Sequence, residues 1–267
     1  MAEYVRWIEE QLHLVNKEGR EVPFILNPIQ RRYLTHDVPQ GTPHIVLKAR
    51  QQGFSSVILA RFLADFLYKD NSRSVVVADI AENATTLLQR LKFYLASYER
   101  KNGITIPLKY NSKSELVNAL NGAVYTIGTA KNAEFGRSQT ITNLHLSEAA
   151  FYPNLQAIVA GAGNAVVPGG YFVMETTANG FDRFKTMWDE AVSGQNGFIP
   201  LFYKASDFYD PAFLAEKKKQ QGRTFSQEYP ETPVEAFLTS GDPYFSTDAL
   251  QWYNQIVKHP LHVQSVR

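Results

Sequence analysis

Residues 44–63 read H-I-V-L-K-A-R-Q-Q-G-F-S-S-V-I-L-A-R-F-L. Apolar runs at 44–47 and 57–63 enclose K-A-R-Q-Q-G-F-S-S (48–56), so the stretch reads as strand, tight loop and helix. The loop nearly fits the phosphate-binding pattern G-x-x-x-x-G-K-[ST]. Two positions depart from it: Lys48 stands where the first glycine belongs, and Phe54 where the lysine belongs. Such a loop works through backbone N–H groups and a helix N-terminus that face an anion. Gly53 allows close approach, and Ser55 sits where a hydroxyl would reach a magnesium ion. Lys48 could reach back over the phosphates from the far end of the loop, with Arg50 as a second cation. Gln51, Gln52, Phe54 and Ser56 complete the candidate loop. Without its context the segment is equally a glycine turn between buried elements, with Lys48 and Arg50 in solvent.

Composition narrows the setting. The 267 residues carry 27 Lys+Arg against 26 Asp+Glu, so no global basic balance marks a passive nucleic-acid binder. With 44% apolar and 13% aromatic residues the chain can bury a sizeable core, as one large domain or one with a small companion. It has no cysteine, which excludes disulfides and cysteine-based zinc sites. No apolar run reaches the roughly 18 residues of a membrane span. The start, MAEYVRWIEEQ (1–11), is amphipathic and acidic, unlike a signal peptide. The end, H-P-L-H-V-Q-S-V-R (259–267), lacks a natural stop and leaves a truncated and a complete chain equally open.

Apolar periodicity predicts an alternating α/β chain. Val5, Ile8, Leu12 and Val15 predict a helix over 3–17, followed by a turn at 17–23. Strands are expected at 44–48, 74–78, 141–146, 171–177 and 198–203, and helices at 55–68, 82–99, 153–162 and 182–192. Residues 116–127 read as a hairpin in which Asn121-Gly122 supplies a type I′ turn. Strand–helix alternation implies right-handed crossovers and a mostly parallel sheet flanked by helices. From about Asp207 the pattern becomes more irregular. The expected division is therefore a core at 1–205 and a small lid and linker at 206–267.

Further motifs lie at expected strand ends. L-H-L-S-E-A-A (144–150) places Glu148 just past a strand, where α/β proteins bind ligands and an ATPase needs a carboxylate to orient water. The usual pair there is Asp-Glu; here it is Ser147-Glu148, so Ser147 could meet a metal only through water. A helix N-terminal acid is the plainer role for Glu148. M-E-T-T-A-N-G (174–180) ends another strand with hydroxyls and an amide able to sense a terminal phosphate. Arg137, in E-F-G-R-S-Q (134–139), could serve as a finger worth roughly 10³–10⁵ in rate. In N-P-I-Q (27–30), Gln30 has the donor and acceptor to read an adenine edge, although Asn27-Pro28 reads more readily as a helix cap.

In this order the motifs resemble the ATPase domain of the large terminase subunit of tailed bacteriophages, over roughly residues 20–245. The resemblance implies a P-loop NTPase fold of the ASCE type with a small lid. It implies an ATP-hydrolysing motor that drives double-stranded DNA into a procapsid, with ATP and Mg²⁺ as cofactors. Carried over, Gln30 reads adenine, and Lys48, Gly53 and Ser55 hold phosphates and Mg²⁺, with Arg50 nearby. Glu148 orients the attacking water, Thr176, Thr177 and Asn179 form the coupling motif, and Arg137 is the finger. The implied partners are DNA, the portal protein, the small terminase subunit and further copies in a ring, the isolated domain being a monomer. The setting would be the host cytoplasm, with no membrane. The family's nuclease domain would lie beyond Arg267, so no nuclease activity is expected of this chain. Lys217–Lys219 are candidates for DNA phosphates, though a lysine run is more often a solvated helix face.

Two other classes remain open on sequence. One is a different P-loop translocase such as a helicase, for which 267 residues leave no room for a second motor domain. The other is a weakly active nucleotide-sensing module, favoured by the missing aspartate at Ser147.

Overall fold

The computed structural model describes residues 2–38, 41–132 and 140–238, with residues 252, 253 and 256. The chain opens with α1 (Ala2–Gln11), which buries Val5 and Ile8. The predicted helix over 3–17 stops here. Val15 is 53% exposed, so the apolar stripe has no further surface to cover. Instead β1 (His13–Val15) pairs antiparallel with β2 (Glu21–Pro23). Asn16 organises the turn, its side-chain carbonyl oxygen accepting from the N–H groups of Glu18 and Arg20.

Next come α2 (Pro28–Arg32), a π turn (Tyr33–Asp37), β3 (His44–Lys48), α3 (Phe54–Tyr68), β4 (Arg73–Ala78) and α4 (Ala81–Asn102). Then follow β5 (Leu108–Asn111), β6 (Glu115–Asn118), β7 (Val124–Thr129), β8 (Ile141–Ser147), α5 (Leu155–Ile158) and β9 (Val166–Thr176). The described chain closes with α6 (Arg183–Val192), β10 (Ile199–Tyr203), α7 (Pro211–Gln221), α8 (Phe225–Glu228) and α9 (Pro233–Leu238). The short helix expected at 153–162 is α5 running into a π turn, Val159–Gly163. The 116–127 hairpin forms, with Leu116 opposite Tyr125, but not through a type I′ turn. That turn needs positive φ at both central residues, and of the two only Gly122 has it (φ 69°). The Asn121 side chain instead accepts from Ala123 N–H and donates to the Phe66 and Leu67 carbonyls at the end of α3.

One sheet organises the chain, in the order β10-β3-β9-β8-β4-β7-β6-β5. The strands from β10 to β7 run parallel, and β6 and β5 are antiparallel. Helices cover both faces of the parallel part, so its strands are apolar on both sides. Val46 and Val76 face the layer of α1, α3 and α4, whereas Ile45, Leu47, Val75 and Val77 face that of α5, α6 and α9. A third, smaller cluster joins Ala49, just after β3, to Ala205 and Tyr229, with Tyr209, Phe213 and Phe225 packed on it.

This order sets the site. The chain leaves β3 through α3 on one face and leaves β9 through α6 on the other. Neighbouring strands whose connections part to opposite faces open a crevice beyond their C-terminal ends. β9 lies between β3 and β8, so residues ending all three strands meet at that crevice.

Candidate active site

The loop from Ala49 to Gly53 carries two left-handed residues, Gln51 (φ 59°) and Gly53 (φ 79°). A Cβ at Gly53 would meet Gln30 Nε2 at 2.5 Å in a left-handed backbone, so any other residue would be strained and would displace the Gln30 amide. No side chain caps α3. Its first bond runs from Val57 N–H to the Gly53 carbonyl, and the preceding N–H groups have no intrahelical acceptor. Phe54, Ser55 and Ser56 border a cleft of about 820 Å³, together with Lys48, Arg50, Gln51, Gln52 and Glu148. A cleft of about 890 Å³ beside α1 and α2 lies away from the strand ends and is bridged by the Arg31–Glu9 ion pair.

Lys48 ends β3, and its side chain is 5% exposed. Its Nζ lies 3.2 Å from Glu148 Oε1 and 3.2 Å from Glu175 Oε2. Burial alone would lower the Lys48 pKa, but the two carboxylates outweigh it and hold the ammonium above its usual range. Phe54 turns away into the core against Tyr33 and Tyr203, so it offers the cleft only backbone.

Glu148 stands in the left-handed region (φ 57°, ψ 48°), an uncommon conformation for a residue with a side chain. Its carboxylate does not cap the 3₁₀ turn that follows (Ala149–Phe151). It reaches Lys48 through one oxygen, while the other accepts from Thr176 Oγ1 at 3.3 Å and Thr177 N–H at 3.4 Å. Asn179 Nδ2 donates to the Ala150 carbonyl at 3.4 Å. Glu148, Thr176 and Thr177 thus form one connected group, with Asn179 bonded beside them.

Sequence reasoning missed Glu175. It is fully buried at the end of β9. Its Oε1 accepts from Ser55 Oγ at 2.8 Å and Ser147 Oγ at 2.9 Å, and lies 3.1 Å from His145 Nε2. Burial pushes its carboxyl up, yet Lys48 and these donors more than reverse that and hold it below the carboxylate range. For Glu148 burial dominates and the pKa is raised; Lys48 opposes the rise and Glu175 reinforces it. A third of the Glu148 side chain reaches solvent (32%), which moderates its rise. Two carboxyls pushed apart in this way suit different tasks, one as a proton acceptor and one as a permanent charge. The available signal for Glu175 was an acid inside an otherwise apolar strand, Y-F-V-M-E-T-T (171–177), because buried acids need partners.

Other expected residues fall as follows. Gln30 is buried and has a task other than meeting the cleft. It closes a capping box with Asn27, and its Nε2 donates to the Gly53 carbonyl at 2.8 Å. Gln52 is buried and donates to the Lys204 carbonyl. Arg50 borders the cleft, with its guanidinium 2.9 Å from Glu228 of α8. Arg137 lies outside the described residues. Arg90, on α4, was not anticipated; it borders the cleft and donates to Ser56 Oγ at 3.1 Å.

No protein-family model matches the chain, and no curated protein does. Solved structures do. The large terminase ATPase domain of Thermus phage P74-26 aligns over 76% of this chain and 92% of that one, at TM-score 0.58 and 16% identity. The large terminase of bacteriophage HK97 aligns over 94% of this chain at TM-score 0.66 and 18% identity. The chain has the fold of a phage large-terminase ATPase domain. The large terminase of a thermophilic bacteriophage in complex with ADP shares this terminase fold at TM-score 0.57 and 12% identity, over 75% of this chain. The chain spans 58% of the HK97 protein and 52% of the ADP-bound one.

Proposed function

We propose that the chain is the ATP-hydrolysing motor domain of a viral large terminase, which moves double-stranded DNA into a procapsid. The carrying observation is the Lys48 ammonium held between Glu148 and Glu175 on the floor of a cleft edged by the N-terminus of α3. In this reading the loop N–H groups and Lys48 bind the β- and γ-phosphates. Glu148 accepts the proton of the attacking water, as its raised pKa suits. Arg50 and Arg90 add positive charge in cis, and Arg137 serves as a finger, within one copy or from a neighbour in a ring.

The donor set fits a magnesium ion bound with the nucleotide. One ammonium faces two carboxylates, so a triphosphate entering alone would meet surplus negative charge. Among the described residues no group of three or more His, Cys, Asp or Glu could hold a metal alone. Mg²⁺ is commonly held by one or two protein oxygens together with substrate phosphates. Ser55 Oγ would be a ligand, Ser147 would act through water, and the ion would neutralise charge developing on the phosphoryl oxygens.

Coupling follows from the contacts of the loop. Thr176 and Thr177 touch Glu148, so loss of the γ-phosphate would be felt at the end of β9. The loop is also tied to the region after β10, which we assign as the lid. Arg50 N–H donates to the Glu228 carbonyl at 2.9 Å, and the Tyr209 hydroxyl donates to the Arg50 carbonyl at 2.7 Å. A change in loop conformation would pull on α7 and α8. The working partners would be DNA, portal, small subunit and neighbouring copies, in the host cytoplasm. No described helix is long and apolar enough to cross a membrane.

The test measures phosphate release from Mg·ATP at increasing protein concentration, with and without double-stranded DNA. Slow turnover that rises with protein concentration is expected, because a trans arginine needs a second copy. DNA binding should weaken steeply with salt. A chain that binds no nucleotide in calorimetry would end this reading.

A further inference from the structure

We propose that Glu175 does the work expected of an aspartate at position 147: it orients the Ser55 hydroxyl and supplies the fixed negative charge beside the nucleotide-bound Mg²⁺. This rests on the function proposed above and adds a positioning residue to it.

Ser147 and Glu175 are register partners on adjacent parallel strands, about 4.8 Å apart. The two side chains share a face of the sheet. Glutamate is one methylene longer than aspartate, which helps a carboxylate rooted on β9 to reach the place where one rooted on β8 would end. The reach is made: Glu175 Oε1 accepts from Ser55 and Ser147 together. Ser55 Oγ lies 3.4 Å from Ser147 Oγ, so the carboxylate draws both hydroxyls to one point. With its proton committed to Glu175, Ser55 Oγ presents its lone pairs elsewhere, as a metal ligand must. The small Ser147 leaves room for this, and an aspartate there would set two carboxylates against each other.

A second feature separates Glu175 from a fully employed structural acid. Its Oε2 is buried and accepts no aligned hydrogen bond, facing only the Lys48 ammonium. Lys48 borders the cleft, so this oxygen lies directly behind the ammonium that faces an arriving nucleotide. His145 on the far side leaves Nδ1 unpaired and holds Glu175 through Nε2.

The experiment compares binding of a fluorescent ADP analogue in Mg²⁺ and in EDTA for the wild type, Glu175→Gln, Ser147→Asp and the double variant. We expect Glu175→Gln to lose about 10–100-fold of the Mg²⁺-dependent gain, as removal of outer-shell partners does, while affinity in EDTA rises as the surplus negative charge is relieved. Ser147→Asp alone should also lose the gain through like-charge repulsion. The double variant should recover it, because the carboxylate returns to β8. If Glu175 only neutralises Lys48, its removal will strengthen binding equally with and without Mg²⁺, and the double variant will show no recovery; that result overturns the proposal. Should Glu175→Gln fail to fold, the double variant decides, recovery supporting the proposal and its absence refuting it. A wild type that binds the analogue with no Mg²⁺ gain sinks the inference alone, and one that binds no nucleotide sinks the motor reading as well.

Discussion

Strands β8 and β9 carry a buried charge cluster at each end, and the two differ in how completely they are closed. At the N-terminal end, Asn143 of β8 and Tyr171 of β9 enclose Arg61 of α3. The guanidinium lies 3.7 Å from the Tyr171 ring centroid, donates to Asn143 Oδ1 at 3.2 Å and pairs with Asp65 at 3.7 Å. Asp65 is further held by Asn143, Tyr4 and Lys69. At the C-terminal end, Ser147 and Glu175 face Lys48 beneath an 820 Å³ cleft, with one carboxylate oxygen short of a hydrogen bond and Glu148 in a strained backbone conformation. The same strands thus support a cluster whose acid is saturated by its own neighbours, although Arg61 Nε is left without a partner, and one that opens onto a cleft a ligand can fill. Backbone strain and perturbed carboxyls collect where a protein acts.

Removing the cation at each end should expose this difference most sharply. Lys48→Ala should lower ATP turnover by at least about 10²–10³-fold, as loss of a donor aimed at developing charge does. It should also cost about 3–5 kcal/mol of stability at pH 8, because Glu175 is left as an unpaired buried charge. In that variant the folded state takes up a proton at Glu175 more readily than the unfolded chain. Stability therefore rises as pH falls, and the deficit measured by urea unfolding should shrink between pH 8 and pH 5. Arg61→Met should cost about 3 kcal/mol by the same rule while nucleotide affinity is unchanged. Equal losses of affinity in both variants would erase the distinction between the two ends.

Glu148→Gln asks whether strain at the open end serves chemistry. Turnover should fall by about 10²–10⁴-fold with nucleotide still bound, since a general base contributes that much. Stability should rise by about 1 kcal/mol, because a neutral amide escapes the burial cost that raises the Glu148 pKa. A variant that is less active and also less stable would make Glu148 a structural acid.

The contrast between the two ends also explains what the sequence could disclose. The strand, loop and helix around Lys48 were legible because apolar runs flank a polar loop with one glycine. Glu148 was legible because it follows L-H-L-S directly. Glu175 was not, because its meaning depends on Ser147, which only the register of β8 and β9 brings opposite it. Arg90 belongs to a helix whose facing toward the loop follows from the crossover geometry and from no local pattern. Gln30 was read for its amide chemistry, but that chemistry is taken up by Asn27 and the Gly53 carbonyl. The first helix ended early because periodicity continued into Val15 after the core surface had run out. Period and punctuation specify elements; which strand lies beside which is a property of the closed sheet.

The strut under the loop gives a smaller effect. Gly53→Ala places a methyl group 2.5 Å from Gln30 Nε2 in a left-handed backbone, which should cost about 1–2 kcal/mol. Because the displaced atoms hold the loop, nucleotide affinity should fall with stability. Gly103→Ala, at the left-handed end of α4 with nothing within 4 Å of the added Cβ, carries the backbone cost alone. Calorimetric binding by the two variants separates loop distortion from general destabilisation.

The closed end makes the smallest prediction, and pH reads it. His44 is buried between the Thr42 carbonyl, 3.1 Å from Nδ1, and the Tyr33 hydroxyl, 2.7 Å from Nε2. Nδ1–H donates to Thr42, and Nε2 accepts from Tyr33, so the ring is neutral with both nitrogens in use. Burial pushes its pKa down to about 3, although the Thr42 bond opposes the shift. Between that value and the ordinary 6.5 the unfolded chain carries a proton that the native ring refuses. Stability contributed by neutral His44 is therefore full above about pH 6.5 and declines as pH falls, by about 1.4 kcal/mol between about pH 7.5 and 5.5. His44→Gln keeps a polar partner for Tyr33 but removes the titration, so its stability should fall by that much less over the same interval. Nucleotide affinity should change equally in both proteins, because this network sits at the opposite end of the strands from the cleft. A pH-dependent difference in affinity would show that the two ends of β8 and β9 are coupled through the sheet.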